Sequence, residues 1–146
     1  MDEQAHERDQ GHQTAAEALA AARTETGRRR YREVMVSEAP PPLTPYLDRG
    51  VVDSVFGELW DRPGLSRRDR RWITLACVGA AAVDEPIRQH VYAALASGDI
   101  SREEMQEFVL HFAYYHGWPR ASALEMAYYQ ALQRIDGDAA APGPAR

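Results

Sequence analysis

The chain has 146 residues, a formal net charge of −5 and an apolar content of 45%, which is typical of a soluble globular protein. The negative charge argues against nucleic acid or an anionic membrane as the main partner, because both select basic surfaces. All 17 basic residues are arginine, which excludes a catalytic lysine, and the single cysteine, Cys77, excludes paired-thiol redox chemistry and an internal disulfide.

The two ends of the chain lack a packing pattern. Residues 1–13 are polar, with acidic residues where a secretory signal would be basic and then apolar. Residues 137–146 are mostly Gly, Ala and Pro without periodicity, and the longest uncharged apolar run, at 72–83, is too short to cross a bilayer. We therefore predict disordered tails, one helical domain over 14–136 and a cytoplasmic location.

Every periodic segment between these limits is helical, so the sequence predicts an all-α fold of about six helices. The first helix candidate runs from 14 to about 36 and is expected to be interrupted near Gly27. Three consecutive prolines then force a linker. Apolar residues from Tyr46 onward recur at helical spacing and predict a second helix that stops at the turn 61–64.

Two capping boxes mark further helix starts. Ser66 with Asp69 opens a helix that is rich in arginine in its first turns and apolar on every face afterwards. Ser101 with Glu104 opens a helix that Gly117 ends. Because a small subunit cannot cover a helix that is apolar all round, we predict a homo-oligomer.

Two prolines mark the remaining helix starts. Pro86 suits the first turn of a helix that ends at Ser97, where Gly98 can adopt the left-handed conformation. Pro119 begins the last helix of the chain.

Three histidines take different positions on these helices. His90 lies at the edge of an apolar stripe, where water is excluded, and is the leading candidate for acid–base chemistry. His116 ends its helix and can cap backbone carbonyls. His111 lies roughly 120° from the centre of the apolar stripe, toward a pocket or an interface. Ordinary packing or surface histidines also occupy such positions, so both interpretations stay open.

Glu58 and Arg70 are the charged candidates. Glu58 lies beside the apolar stripe of the second helix, and Arg70 lies one turn ahead of the apolar run in the third. Either the two form a structural ion pair, or Glu58 has a raised pKa that suits proton transfer. The sequence contains no metal-binding histidine motif and no phosphate loop, so we expect no metal and no other cofactor.

The segments FGELWDRPGLSRRDRRWITLA and IRQHVYAALASGDISREEMQEFVLHFAYYHGWPRA, with the spacing between them, resemble the carboxymuconolactone decarboxylase family, within the alkylhydroperoxidase-D-like all-α fold. The resemblance covers residues 28–132. It implies a trimer or a hexamer and a cofactor-free decarboxylase that acts on a small cyclic carboxylated lactone such as 4-carboxymuconolactone.

The decarboxylase branch of this family resembles the chain through Glu58, Arg70 and His90. On chemical grounds, Arg70 could orient the substrate anion, His90 could donate to the enolate oxygen or return the proton, and Glu58 could orient His90. Four further side chains are predicted to bind substrate: Trp60, His111, Tyr115 and His116.

The peroxidase branch of the family carries Cys-x-x-Cys followed four residues later by His. Here the histidine matches as His90, but Val83 and Pro86 occupy the cysteine positions, so a thiol peroxidase is disfavoured. Two alternatives remain: a natural-product tailoring cyclase, isomerase or decarboxylase of the same family, and a non-catalytic oligomeric binding protein whose candidate polar residues are tied up in ion pairs.

Overall fold

The computed structural model describes the backbone of residues 3–140 and the side chains of residues 13–139. Over that range the fold is all-α, as the sequence predicts, and it contains no strand. The helices are α1 (Glu3–Met35), α2 (Arg67–Ala81), α3 (Asp84–Ala96), α4 (Arg102–His116) and α5 (Trp118–Ala140), with a π-helix at Tyr46–Phe56 and a 3₁₀ turn at Leu59–Asp61. Within these residues, no helix has the length and apolarity that crossing a membrane requires.

The ends of the helical region differ from the sequence prediction. Helix α1 begins at Glu3, inside the stretch predicted to be a disordered tail, and α5 continues to Ala140. Both extensions contain alanine, and the first is also rich in Glu and Gln, all of which favour helix. Residues 1–2 and 141–146, which complete the two predicted tails, lie outside the described residues.

The chain divides into two compact units. The first comprises Met1–Glu33 and Ser37–Pro63, and the second comprises Val34–Val36 and Gly64–Arg146. The last residues of α1 thus belong to the second unit. The single domain over 14–136 stays a prediction, because compact units of this kind can also be parts of one cooperative domain.

In the first unit, α1 packs against the π-helix through glycine. A Cβ added at Gly27 would lie 2.2 Å from the carbonyl oxygen of Val52, and one added at Gly57 would lie 2.7 Å from that of Arg23. The two backbones therefore approach at a distance that only glycine permits. The predicted interruption at Gly27 is wrong: α1 is continuous there, and the missing side chain serves close packing instead.

The predicted second helix is a π-helix followed by a 3₁₀ turn. The Gly57 N–H donates to the carbonyl oxygen of Val52, five residues back, at 2.8 Å, which is the π-type hydrogen bond. Phe56 is buried, and its ring lies 4.7 Å from that of Tyr31 and 6.2 Å from that of Trp60, measured between centroids. This aromatic group packs in the interior of the first unit, together with the buried Val52.

The core of the second unit lies among α2, α3, α4 and α5. Its largest fully buried apolar side chains are Leu75, Ile87, Val91, Ile100, Met105 and Leu124. Both predicted capping boxes are present, since the side chains of Ser66 and Ser101 accept from the backbone N–H three residues on. Gly98 has the predicted left-handed conformation, with a φ of 72°.

Helix α2 has exposed as well as buried apolar surface among the described residues. Leu75 and Gly79 are buried, whereas Ile73 and Cys77 are exposed on the other side of the helix. The sequence feature behind the expected homo-oligomer is therefore present. The homo-oligomer itself stays a prediction.

The glycine contact in the first unit can be tested by alanine substitution. Gly27→Ala should lower the free energy of unfolding by about 1–3 kcal/mol, because the new methyl group overlaps the Val52 backbone. The control is Gly137→Ala in α5, where an added Cβ meets nothing within 4 Å. That substitution should be neutral or stabilise by up to ~1 kcal/mol through helix propensity. Urea denaturation measures the free energy of unfolding of both variants, and equal changes would contradict the close contact.

Candidate active site

A fully buried arginine lies at the centre of the second unit. Arg71, with 0% of its surface exposed, lies on the same face of α2 as Leu75 and Gly79, because the three are spaced by four residues. Its Nε donates to Oδ2 of Asp99 at 3.0 Å, and its Nη2 donates to the backbone carbonyl of Val34. One guanidinium thus joins α2 to the end of α1 and to the loop before α4.

Asp99 binds two arginines. Its other carboxylate oxygen accepts from Nε of Arg67 at 2.9 Å. Burial would raise the pKa of Asp99, but the hydrogen bonds and charges of Arg67 and Arg71 outweigh burial, so the pKa is lowered. Burial lowers the pKa of Arg71, and Asp99 opposes that shift. Because arginine starts from a very high pKa, both partners are charged at neutral pH.

His90 lies on α3 at the edge of the core, beside the buried Ile87 and Val91, which is the position that its apolar stripe predicts. Burial, followed by the positive charge of Arg71, lowers the pKa of His90 to about 4. Its Nδ1 is buried and has no hydrogen-bond partner among the described residues. The imidazole is therefore neutral at neutral pH and retains one unused hydrogen-bonding atom.

The other two predicted catalytic residues lie in different units. Arg70 is buried in the first turn of α2, in the second unit. Glu58 belongs to the first unit, where its exposed carboxylate lies 4.0 Å from the guanidinium of Arg23. An exposed pair at this distance contributes little stability. The Glu58–Arg70 ion pair and the orientation of His90 by Glu58 stay predictions.

The four predicted substrate-binding residues fall in two places. Trp60 is buried in the first unit. The other three lie on the second half of α4 and are exposed: His111, Tyr115 and His116. The ring of His111 stacks on that of Tyr115 at 4.9 Å, and the ring of His116 stacks on that of Phe112 at 4.3 Å. Both stacks join residues four apart on one helix face. A role in substrate binding stays a prediction for all four.

Sequence reasoning selected Arg70 and missed Arg71 and Asp99. A signal for Arg71 was present, since Arg71, Leu75 and Gly79 continue one stripe at four-residue spacing. Asp99 gave no local signal, because its partner Arg71 is 28 residues away in the chain.

Candidate metal ligands are scattered across the part of the chain that the structure describes. No three His, Cys, Asp or Glu side chains in it lie close enough together to hold a metal ion. The expectation that the protein works without a cofactor stays a prediction.

Comparison with known proteins identifies the family. The family model described as the carboxymuconolactone decarboxylase family matches residues 45–136, more than half of the chain. The chain belongs to this family. The resemblance seen in the sequence is thereby confirmed, and the matched region contains all seven predicted site residues.

Two relatives of the chain show how far the similarity extends. The chain is 35% identical over 68 residues to the 4-carboxymuconolactone decarboxylase of Acinetobacter baylyi, which is 47% of this chain and 50% of that protein. It is 31% identical over 87 residues to the nitrosuccinic acid decarboxylase of Metarhizium robertsii, which is 58% of this chain and 60% of that protein. The chain thus spans about half of the first relative and three-fifths of the second.

Among the ion pairs of the second unit, the Arg71–Asp99 pair should contribute most to the free energy of unfolding. Asp99→Asn leaves a buried guanidinium without its counter-charge and should lower the free energy of unfolding by about 3–5 kcal/mol. The matched control is Asp136→Asn, which removes the exposed partner of Arg102 and should cost about 0–1 kcal/mol. Guanidinium chloride denaturation compares the two, and similar losses would contradict the importance of the buried pair.

His90 should make the fold less stable in mildly acidic solution. Between its ordinary pKa of 6.5 and its folded pKa of about 4, the unfolded chain binds a proton that folded His90 does not. The free energy of unfolding should therefore fall as the pH drops through this window. The contribution of Asp99 to the pH dependence of stability falls at lower pH, since its pKa lies below the ordinary value of 3.8. His90→Gln should flatten the profile measured by urea denaturation from pH 4 to 7, and an unchanged slope would contradict the shift.

Proposed function

We propose that the protein is a cofactor-free decarboxylase that acts on a small carboxylated acid bearing an electron-accepting oxygen group near the carboxylate. The observation that carries the proposal is the neutral, largely buried His90, whose pKa is lowered by burial and by Arg71. Family membership and the names of two relatives, both decarboxylases, support the same reaction type.

The proposed reaction breaks one carbon–carbon bond. Its electron pair stays on the substrate and delocalises into the acceptor group, carbon dioxide leaves, and a proton then adds to a carbon of the delocalised anion. In 4-carboxymuconolactone the acceptor is the lactone carbonyl, and in nitrosuccinic acid it is the nitro group. Both acids therefore need a site that stabilises negative charge as it develops on oxygen.

His90 is suited to stabilise that oxygen. With a pKa of about 4 it carries no additional proton at neutral pH, so it serves better as a neutral hydrogen-bond donor to the enolate oxygen than as the acid that returns the proton. A donor held at the edge of an apolar core is worth more than the same donor in water. The proton that adds to carbon would then come from solvent.

A cation is needed to orient the substrate carboxylate. Arg70, buried in the first turn of α2, is our candidate, because a guanidinium binds a carboxylate through two parallel hydrogen bonds. Arg71 is already engaged with Asp99 and Val34 and acts on His90 through its charge.

The unused Nδ1 of His90 favours catalysis over the non-catalytic alternative. A binding protein that merely retained the fold would tie up all of its candidate polar residues. His90 instead keeps a buried nitrogen with no partner among the described residues, an arrangement that costs stability. Such a cost is usual where a group is held ready for a substrate.

Turnover assays decide which acid is the substrate. Release of carbon dioxide from 4-carboxymuconolactone, followed by ultraviolet absorbance, would support the catabolic reaction. Release from nitrosuccinic acid alone would support a tailoring role. If neither acid reacts at high enzyme concentration, the proposed substrate class is wrong.

His90→Leu should lower turnover of the accepted acid by roughly 10²-fold, the scale expected when a hydrogen-bonding catalytic group is lost. The matched control is Arg88→Gln on the same helix, an exposed residue whose partner is Glu85, and it should leave turnover within about twofold. Circular dichroism checks that both variants fold. Full activity in a folded His90→Leu enzyme would exclude His90 from the reaction.

A further inference from the structure

Helix α2 carries two neighbouring buried cations. Arg70 and Arg71 are the two buried charged side chains among the described residues, with 9% and 0% of their surface exposed. The other arginines of this helix, Arg67 and Arg68, are exposed. A guanidinium that is shielded from water binds a carboxylate more strongly than an exposed one does. Of the four arginines on α2, the two buried ones are therefore best suited to bind an anion.

The two buried cations serve different parts of the second unit. The Nε of Arg71 donates to Asp99 at 3.0 Å, and the charge of Arg71 acts on His90. Successive residues of an α-helix lie roughly 100° apart around its axis, so Arg70 lies on the neighbouring face of α2. Arg71 is thus paired with a protein carboxylate in the region of His90, whereas Arg70 is placed to bind another part of a substrate.

The two acids named in the proposed function have a common skeleton. In 4-carboxymuconolactone and in nitrosuccinic acid, the carbon that loses carbon dioxide also bears a CH₂–COO⁻ group, so both acids are substituted succinates. One carboxylate leaves as neutral carbon dioxide, and the other stays on the product. We call them the leaving and the retained carboxylate. The substrate carries two negative charges, and the product, once a proton has been added, carries one.

A cation has different effects at the two carboxylates. At the leaving carboxylate it would stabilise charge that is lost as the carbon–carbon bond breaks, so it would bind the substrate more strongly than the transition state. At the retained carboxylate the charge is the same in both states, and binding there orients the substrate without that cost. The edge of the core at His90, beside the buried Ile87 and Val91, suits the leaving carboxylate, because an apolar surrounding disfavours the charge that the reaction removes.

Building on the proposed function, we propose that Arg70 binds the retained carboxylate and that the substrates are succinates with an electron-accepting group on the reacting carbon. Arg70 and His90 then bind different groups of one substrate. Arg70 binds the carboxylate that stays, and His90 donates to the oxygen on which charge develops. Arg71 is paired with Asp99, so the leaving carboxylate is not held by a cation of α2.

Substrate analogues test the role of the retained carboxylate. A methyl group replaces it in 2-nitrobutanoic acid, and also in the analogue of 4-carboxymuconolactone that carries ethyl in place of carboxymethyl. In both analogues the leaving carboxylate and the acceptor group are unchanged. For the wild-type protein, kcat/KM should fall by roughly 10²-fold or more from the accepted diacid to its analogue, because a charge-assisted contact is lost. The rate of spontaneous decarboxylation is subtracted for each compound.

Arg70→Met should remove this discrimination. It should lower kcat/KM for the diacid by a similar factor, but leave kcat/KM for the analogue within about twofold, because the analogue has no retained carboxylate to lose. Arg70→Lys keeps the charge and should restore part of the discrimination. The matched control is Arg68→Met on the same helix, an exposed residue paired with Glu104, and it should keep the wild-type discrimination.

The outcomes separate this proposal from the proposed function. Circular dichroism verifies the fold of each variant. If folded Arg70→Met loses the same factor with the diacid and with the analogue, the proposal is overturned while the decarboxylase function stands. A wild-type protein that accepts the analogue as well as the diacid overturns it too, and that comparison needs no variant. If neither diacid reacts at high enzyme concentration, the proposed function fails together with it.

Discussion

The second unit depends on one buried ion pair. Arg71 is enclosed by the core, and Asp99 supplies the charge that makes its burial tolerable. The same guanidinium donates to the backbone carbonyl of Val34, so the end of α1 is held to α2 by a buried hydrogen bond. Its charge also reaches His90 and helps to lower the pKa of that histidine. The packing of the second unit and the proposed chemistry of His90 therefore both depend on the guanidinium of Arg71.

Local signals in the sequence predicted the helix framework well. The capping boxes at Ser66 and Ser101 and the left-handed Gly98 are determined by neighbours within a few residues, and the structure has all three as expected. The position of His90 at the edge of the core was also predictable, because helical periodicity fixes the faces of α3. Family membership followed from residues on these same segments.

Features that depend on distant partners were not predictable in this way. Gly27 suggested a break in α1, but its role is set by the Val52 backbone, which lies far along the chain. The choice between Arg70 and Arg71 depended on Asp99, whose position follows from how α3 and α4 are connected. Composition and periodicity carry no information about such pairings.

The π-helix places a constraint on the length of its segment. In a π-helix each turn holds more residues than in an α-helix, and here the segment ends at Gly57, whose approach to α1 leaves no room for a side chain. Removing or inserting one residue within 46–56 would rotate the residues after it about the helix axis, by somewhat less than the roughly 100° per residue of an α-helix, and would turn Phe56 and Gly57 away from α1. Homologous sequences should therefore accept many substitutions at the exposed positions of this segment while keeping its residue count fixed.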